Sequence, residues 1–288
     1  MHNIHYVEIE NFKTFGEKIH VDLTHPAVLI GPNNAGKTSV VQALCLWSRG
    51  VRAWYDKKGQ PSRKDSRERL SAGINRLNIL EIPITDNRFL WHGARVRKGN
   101  TPIDLVVNVG LELEGKVQDC RMIFHQRDSE VLYCRPCPQT VDNDPLLVHA
   151  TGILFHLLYP MSGIETEETL LPEGRIDVLM GQGQTAQVLR NLCYKIKERD
   201  GKDETSDWPS IKRLIDKLFS VDLAAPKFVK ARGSITLSYK QEGVDRPLDI
   251  AMAGRGLQQT LLILSYLYLH KDSVLMIDEP DAHLEIGR

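Results

Sequence analysis

The 288 residues carry 37 Lys and Arg against 37 Asp and Glu, a formal net charge of +0, with 42% hydrophobic residues. That balance excludes a disordered or fibrous chain and gives bulk charge no pull on a polyanion, so any nucleic-acid contact must be a local patch. No apolar run approaches the roughly 20 residues of a membrane span, and Met1-His2-Asn3-Ile4-His5 lacks a basic region followed by an apolar core, which points to a cytoplasmic chain with no membrane partner.

In chain order, Tyr6-Val7-Glu8-Ile9-Glu10 alternates as a strand, Asn11 to Gly16 breaks it, and Lys18 to Leu23 alternates again. Paired strands are therefore expected at the start. Ala27-Val28-Leu29-Ile30 reads as a buried strand, and Ser39 to Trp47 reads as a helix. Between them Gly31-Pro32-Asn33-Asn34-Ala35-Gly36-Lys37-Thr38-Ser39 completes a G-x-x-x-x-G-K-[ST] phosphate loop. In such a loop the glycines let the backbone curl so that successive N–H groups, from Gly31, Asn33, Asn34, Ala35, Gly36 and onward to Ser39, point at phosphate oxygens. Lys37 reaches the β- and γ-phosphates and the Thr38 hydroxyl ligates Mg²⁺. ATP and Mg²⁺ are the implied ligands.

After the loop helix comes an arginine-rich stretch. From Arg49 to Lys98 there are 13 Lys and Arg against five acids, with Trp54, Tyr55, Phe89 and Trp91 interleaved. It is the best patch for DNA or an acidic partner, though a solvated basic loop would read the same way. Ile103 to Glu114 and Cys120 to Tyr133 read as strands about a turn at Gly115. Thr185 to Lys197 and Ser210 to Phe219 carry helical spacing, separated by the polar linker Asp200 to Glu204. Ser234 to Tyr239 is expected as one further strand and Leu257 to His270 as an apolar helix.

Five cysteines at irregular spacing argue against a disulfide framework. Cys134-Arg135-Pro136-Cys137 is a lone C-x-x-C without a second ligand pair, best read as two reduced thiols in a turn. Asp142-Asn143-Asp144, the one Asp-x-Asp, has no buried strand before it, so nuclease chemistry is not assigned to it.

Near the other end Val274-Leu275-Met276-Ile277 reads as a second buried parallel strand ending in Asp278-Glu279. Asp278 is the expected Mg²⁺ ligand and Glu279 the general base that polarises the attacking water, so Glu279 and Lys37 carry the catalytic assignment.

Four segments together, Ile9-Glu10-Asn11-Phe12-Lys13-Thr14-Phe15, the phosphate loop, Ala253-Gly254-Arg255-Gly256-Leu257-Gln258-Gln259, and Asp278-Glu279-Pro280-Asp281-Ala282-His283-Leu284, resemble the ABC-type ATPase heads of the SMC/RecF group, and most of all the OLD (overcoming lysogenisation defect) family. The resemblance covers both ends and leaves the middle thin. It implies an α/β P-loop NTPase of ABC-ATPase head type, a mixed sheet with an N-terminal antiparallel β portion and a helical insertion. Residues 1–48 and 233–288 would form the head and 49–232 the insertion. It also implies heads that dimerise head to tail around two ATP molecules, Gly254, Arg255, Gly256 and Gln258 acting in trans as the signature. Lys13 would approach the phosphates, Asp281 and His283 would lie in the segment crossing the dimer interface, and Gln126, or next Gln184, would sense Mg²⁺.

The signature departs from Ser-Gly-Gly-Gln, since no serine precedes the glycines and Arg255 fills the variable slot. The sequence ends at Arg288 where related heads continue, so a longer polypeptide or an unusually short head is expected. The resemblance implies an ATPase whose dimerisation, to a homodimer or higher homo-oligomer, controls a DNA-directed nuclease in cis or in a partner protein, in phage defence. Alternatives are a RecF-like DNA-repair clamp, a transporter ATPase subunit, or a nucleotide sensor that does not hydrolyse.

Overall fold

The structure is a computed structural model that describes residues 4–23, 25–58, 71–161, 163–200 and 207–280. Asp281, His283, most of the 200–204 linker and residues 59–70 of the basic stretch lie outside the described residues. The chain divides into two compact units, 1–156 and 157–288.

The first unit contains β1 (Ile4–Glu10), β2 (Ile19–Asp22), α1 (Lys37–Lys58), β3 (Ala72–Asn75), the short hairpin β4 (Arg97–Lys98) and β5 (Thr101–Pro102), β6 (Leu105–Leu113), β7 (Lys116–Gln126), β8 (Val131–Pro136), α2 (Pro138–Val141) and α3 (Asp144–Thr151), and ends within β9 (Phe155–Leu158). Six strands form one antiparallel sheet in the order β2-β1-β6-β7-β8-β3.

Its register explains the alternation seen in the sequence. Val7 faces Val109 and Val109 faces Cys120, while Ile9 faces Val107 and Val107 faces Met122, so one face is a continuous apolar ladder. All six side chains are buried. The other face is polar: Tyr6 pairs across Gly110 with Asp119, and Glu8 across Asn108 with Arg121. A one-residue slip would exchange the two faces, so burial pins the register.

Helix α1 packs on the apolar face through Leu46, Trp47, Val51 and Trp54, all fully buried. Trp47 donates its indole N–H to the Cys120 carbonyl at 2.7 Å, satisfying its one polar atom inside the core. The close approach depends on Gly50, where a Cβ would stand 2.7 Å from Phe124 Cζ.

The second unit holds α4 (Glu173–Gly181), α5 (Leu189–Asp200), α6 (Asp207–Phe219), β10 (Val221–Leu223), β11 (Lys227–Val229), β12 (Ser234–Thr236), β13 (Ser238–Gln241), β14 (Leu248–Asp249), α7 (Arg255–Leu269) and β15 (Val274–Ile277). Its core joins Leu192 and Ile196 of α5, Ile211 and Ile215 of α6, and Leu257, Leu261 and Leu262 of α7.

Three expectations change. Ala27–Ile30 is neither strand nor buried: Val28 is 76% and Ile30 91% exposed. An apolar run becomes a buried strand only where a neighbour supplies a ladder and a cover, and among the described residues none pairs with it. Ser234 to Tyr239 is two strands, β12 pairing with β11 and β13 with β10, parted at the buried Leu237. β15 exists, but only Met276 in it is fully buried. The fold is the expected α/β P-loop type, with a mixed and mostly antiparallel sheet content.

Candidate nucleotide site

The phosphate loop is exposed from Gly31 to Ala35, and burial begins at Gly36, where the chain turns into α1. Asn34 at φ 66 and Gly36 at φ 95 supply the left-handed residues that curl it. Lys37 folds its side chain back over the loop and donates to the carbonyl oxygens of Gly31 at 2.8 Å and Pro32 at 2.9 Å. These carbonyls occupy donors that an ammonium otherwise offers to phosphate oxygens. The loop therefore already holds its cation above its own curl.

The segment after β1 braces this cradle. Asn11 and Lys13 take positive φ of 57 and 47, and Phe12 and Phe15 exchange backbone hydrogen bonds at 2.9 and 2.8 Å, closing a tight turn. The Phe15 ring and Thr14 hydroxyl stand where a Cβ on Gly36 would be, 2.5 and 2.8 Å away. Thr14 Oγ1 lies 3.5 Å from Ser39 Oγ, and Lys13 Nζ donates to Gln42 Oε1 at 2.5 Å. Burial pushes the Lys13 ammonium down to about 8. The segment after β1 thus meets Gly36, Ser39 and Gln42 at the start of α1.

Sequence reasoning missed the outer brace. Lys13 N–H donates to Leu90 O, His92 N–H to Asn11 O, and His92 Nδ1–H to Lys13 O at 2.8 Å. It also missed Gln42, whose amide bridges Lys13 and the Glu81 carbonyl. A glutamine in the second turn of a loop helix gives no signal of its own without the neighbour it meets.

Gln126 ends β7 at the end of the sheet where the chain leaves β1, but its amide reaches Asp86 at 3.5 Å. Gln184 precedes a 3-10 turn in the second unit. The aromatic residues of the arginine-rich stretch divide: Trp54 and Trp91 are core side chains, with Trp91 donating to Ile103 O, while Phe89 is 46% exposed. Arg49 makes a bidentate pair with Glu81, Arg76 pairs with Glu130, and Arg88 pairs with Asp86. Among the described residues these pairs engage three of the stretch's arginines and the core takes two indoles, while Arg95, Arg97 and Lys98 are exposed.

In the second unit Asp278 follows β15, its N–H donating to the Leu158 carbonyl at 2.9 Å, and Glu279 takes φ 47. A non-glycine residue held there stores backbone strain of about 1 kcal/mol or more, which surrounding structure must over-determine. Helix α7 opens at Gly254, which has φ −59, open space around a Cβ and no side-chain cap. Arg255 and Gly256 form its first turn. Gln258 corrects the expectation: it is buried, and its amide donates to the carbonyls of Ile250, Ala251 and Ala253 at 3.0 to 3.3 Å. It holds the turn from inside because three carbonyls converge on it, that of Ile250 also accepting the Ala253 N–H.

The thiols of Cys134 and Cys137 are both buried; Cys134 lies against Gly50 O, and burial pushes it up to about 12. Among the described residues no cluster of three or more His, Cys, Asp or Glu is arranged to hold a metal, and no helix is long and apolar enough to cross a membrane.

Residues 3–81 match the family model described as "AAA ATPase domain". Among solved structures, the Smc head domain with an extended coiled coil, bound to the C-terminal domain of ScpA, from Pyrococcus furiosus, aligns at 15% identity with a TM-score of 0.50, covering 99% of this chain and 84% of that one. An SmcHead bound to the C-winged helix domain of ScpA aligns at 14% identity with a TM-score of 0.48, covering 98% and 81%. No curated protein matches the chain significantly.

Proposed function

We propose that this chain is an ATP-binding and ATP-hydrolysing head of the ABC/SMC kind, whose ATP-driven dimerisation controls a DNA-directed nuclease in the manner of the OLD family, in phage defence. The observation that carries the ATPase reading is the cradle formed by the left-handed Gly36, the inward-folded Lys37 and the bracing Lys13–Gln42 pair. Its donor set fits a polyphosphate: two ammonium groups and a curled backbone, with an exposed rim. The match over residues 3–81 and the Smc-head fold support the same reading.

In this reading Lys37 leaves the Gly31 and Pro32 carbonyls for the β- and γ-phosphates, while the Gly31–Ser39 backbone and Lys13 hold the remaining phosphate charge. Mg²⁺ bound by Thr38 and Asp278 would neutralise charge developing on the transferred phosphoryl group. Glu279 accepts a proton from the attacking water. Gly254 to Gly256 of a second copy supply the trans contact at the N-terminus of α7, with Asp281 and His283 at the dimer seam. Gln126 is kept as the Mg²⁺-sensing candidate, requiring release from Asp86. The nuclease belongs to a further domain or a partner protein, and the exposed Arg95, Arg97 and Lys98 favour DNA as the ligand of the assembly. The RecF-like clamp stands on the same exposed hairpin.

The deciding experiment is calorimetric ATP titration of wild type and Lys37→Ala. The variant should lose about 100-fold in affinity, equal to about 3 kcal/mol. Equal affinities would remove the assignment. ATP hydrolysis with and without linear DNA then separates the switch from the silent sensor.

A further inference from the structure

The turn that leads into α7 is tied to α5 by a polar chain that is buried at Arg190, Glu168 and Asn191 and partly exposed at Asp249. Arg190, the second residue of α5, is 1% exposed, and its guanidinium donates to the Glu165 carbonyl at 2.8 Å and to Asp249 Oδ1 at 2.7 Å. Asp249 Oδ1 also accepts the Ala251 N–H at 2.8 Å, capping the 3-10 turn 250–252 that runs into Gly254. One carboxylate oxygen therefore joins the guanidinium to the turn. Behind it, Glu168 is buried and accepts three N–H bonds, from the backbone of Arg190 at 2.8 Å and from the backbone and side chain of Asn191 at 2.6 and 2.7 Å. Asn191 in turn accepts the Leu171 N–H and donates to Thr169 O, so both ends of the chain are anchored in backbone. From the opposite side Gln258 holds the carbonyls of Ile250, Ala251 and Ala253.

A buried guanidinium is placed by its acceptors, and loss of one leaves a charge without its partner, so such a chain has one arrangement and resists intermediates. The Gly254–Gly256 segment, exposed at Gly254 and Arg255, has no side-chain cap of its own and takes its position from these two clamps.

We propose that Arg190 and Asp249 are positioning residues for the Gly254–Gly256 turn: the Arg190–Asp249 pair, seated on Glu168 and Asn191, sets where that turn's N–H groups stand for a phosphate carried by a second copy. The inference rests on the head-dimer reading for the phosphate, while the clamp itself is independent of it. A misplacement of about 1 Å in a group that contacts the transition state can cost on the order of 100-fold in rate, which makes turnover the sensitive readout.

The test compares Asp249→Ala, which removes both the cap and the pair, with Asp249→Asn, which keeps an acceptor for Ala251 and Arg190 without the charge. In the nucleotide-free full chain, amide hydrogen exchange at 251–257 should rise about tenfold in Asp249→Ala and much less in Asp249→Asn, with exchange in β6 and β7 unchanged. With ATP and Mg²⁺, kcat should fall on the order of 10- to 100-fold in Asp249→Ala and recover in part in Asp249→Asn, while ATP affinity of the monomer stays within twofold of wild type. Unchanged exchange at 251–257 in Asp249→Ala overturns the clamp. Raised exchange with unchanged kcat overturns its role in turnover. A wild type that binds no ATP overturns the head reading instead, and the exchange arm still decides the clamp.

Discussion

Lys13 Nζ donates to Gln42 Oε1 at 2.5 Å, joining the loop after β1 to the second turn of the phosphate-loop helix. The ammonium is partly withdrawn from water and held down to about 8, against an ordinary 10.5. A base with a lowered folded pKa costs stability while it is protonated, and that cost is relieved as pH rises from about 8 toward 10.5. A bound polyphosphate favours the ammonium and reverses the shift. ATP binding at pH 8.5 should therefore take up a fraction of a proton, read as a difference in calorimetric enthalpy between buffers of unlike ionisation enthalpy. Lys13→Met should abolish the difference; if the wild type shows none, Lys13 does not meet the phosphates.

Gly36→Ala tests the curl of the loop. At φ 95 an L side chain is strained by about 1–3 kcal/mol, and its Cβ would overlap the Phe15 ring. Melting temperature should drop by several degrees and ATP binding should weaken at least tenfold. A variant with normal affinity would mean that the cradle tolerates a different curl.

Within the acidic pair the roles should separate. Glu279→Gln keeps shape and nucleotide binding but cannot take the proton, so turnover falls on the order of 100-fold or more and the ATP-bound dimer accumulates. Asp278→Ala instead weakens Mg²⁺-dependent binding itself. Wild-type turnover by Glu279→Gln, measured as phosphate release, would place the base elsewhere.

Gly256→Asp should bind ATP as a monomer yet fail to dimerise, because a side chain and a carboxylate there oppose a second copy's phosphate. Sedimentation velocity with ATP and Mg²⁺ in the Glu279→Gln background reads this directly. Persistence of the dimer would reduce Gly254 and Gly256 to a helix start.

Glu8 supplies a prediction about the sheet. Burial raises its carboxyl, but hydrogen bonds from Lys18, Asn108 and His20 outweigh that and hold it near 2, below the ordinary 4.5. A lowered carboxylate pKa contributes stability present above pH 4.5 and lost as pH falls through about 2. Glu8→Gln should thus destabilise by about 1–3 kcal/mol at pH 7 in urea unfolding, with the difference from wild type shrinking toward pH 2. An equal difference at both pH values would show that shape, not charge, is what Glu8 provides.

Local chemistry was legible without any structure. The phosphate loop, α1, the β1–β2 alternation, the Gly115 turn and α7 are set by residues within a few positions of one another, through period, turn propensity and the curl that glycines permit. What the tertiary structure decided depends on partners distant in the chain. Trp54 and Trp91 look like base-stacking aromatics in an arginine-rich stretch, yet both are drawn into the core, and Glu81, Asp86 and Glu130 pair with Arg49, Arg88 and Arg76. Ala27–Ile30 has the composition of a buried strand but receives no ladder among the described residues. Gln258 sits in a signature-like motif, and only the convergence of three carbonyls turns its amide inward. Arg190 carries no motif at all; its place beside Asp249 comes from α5 packing on α7, a contact that periodicity alone does not specify.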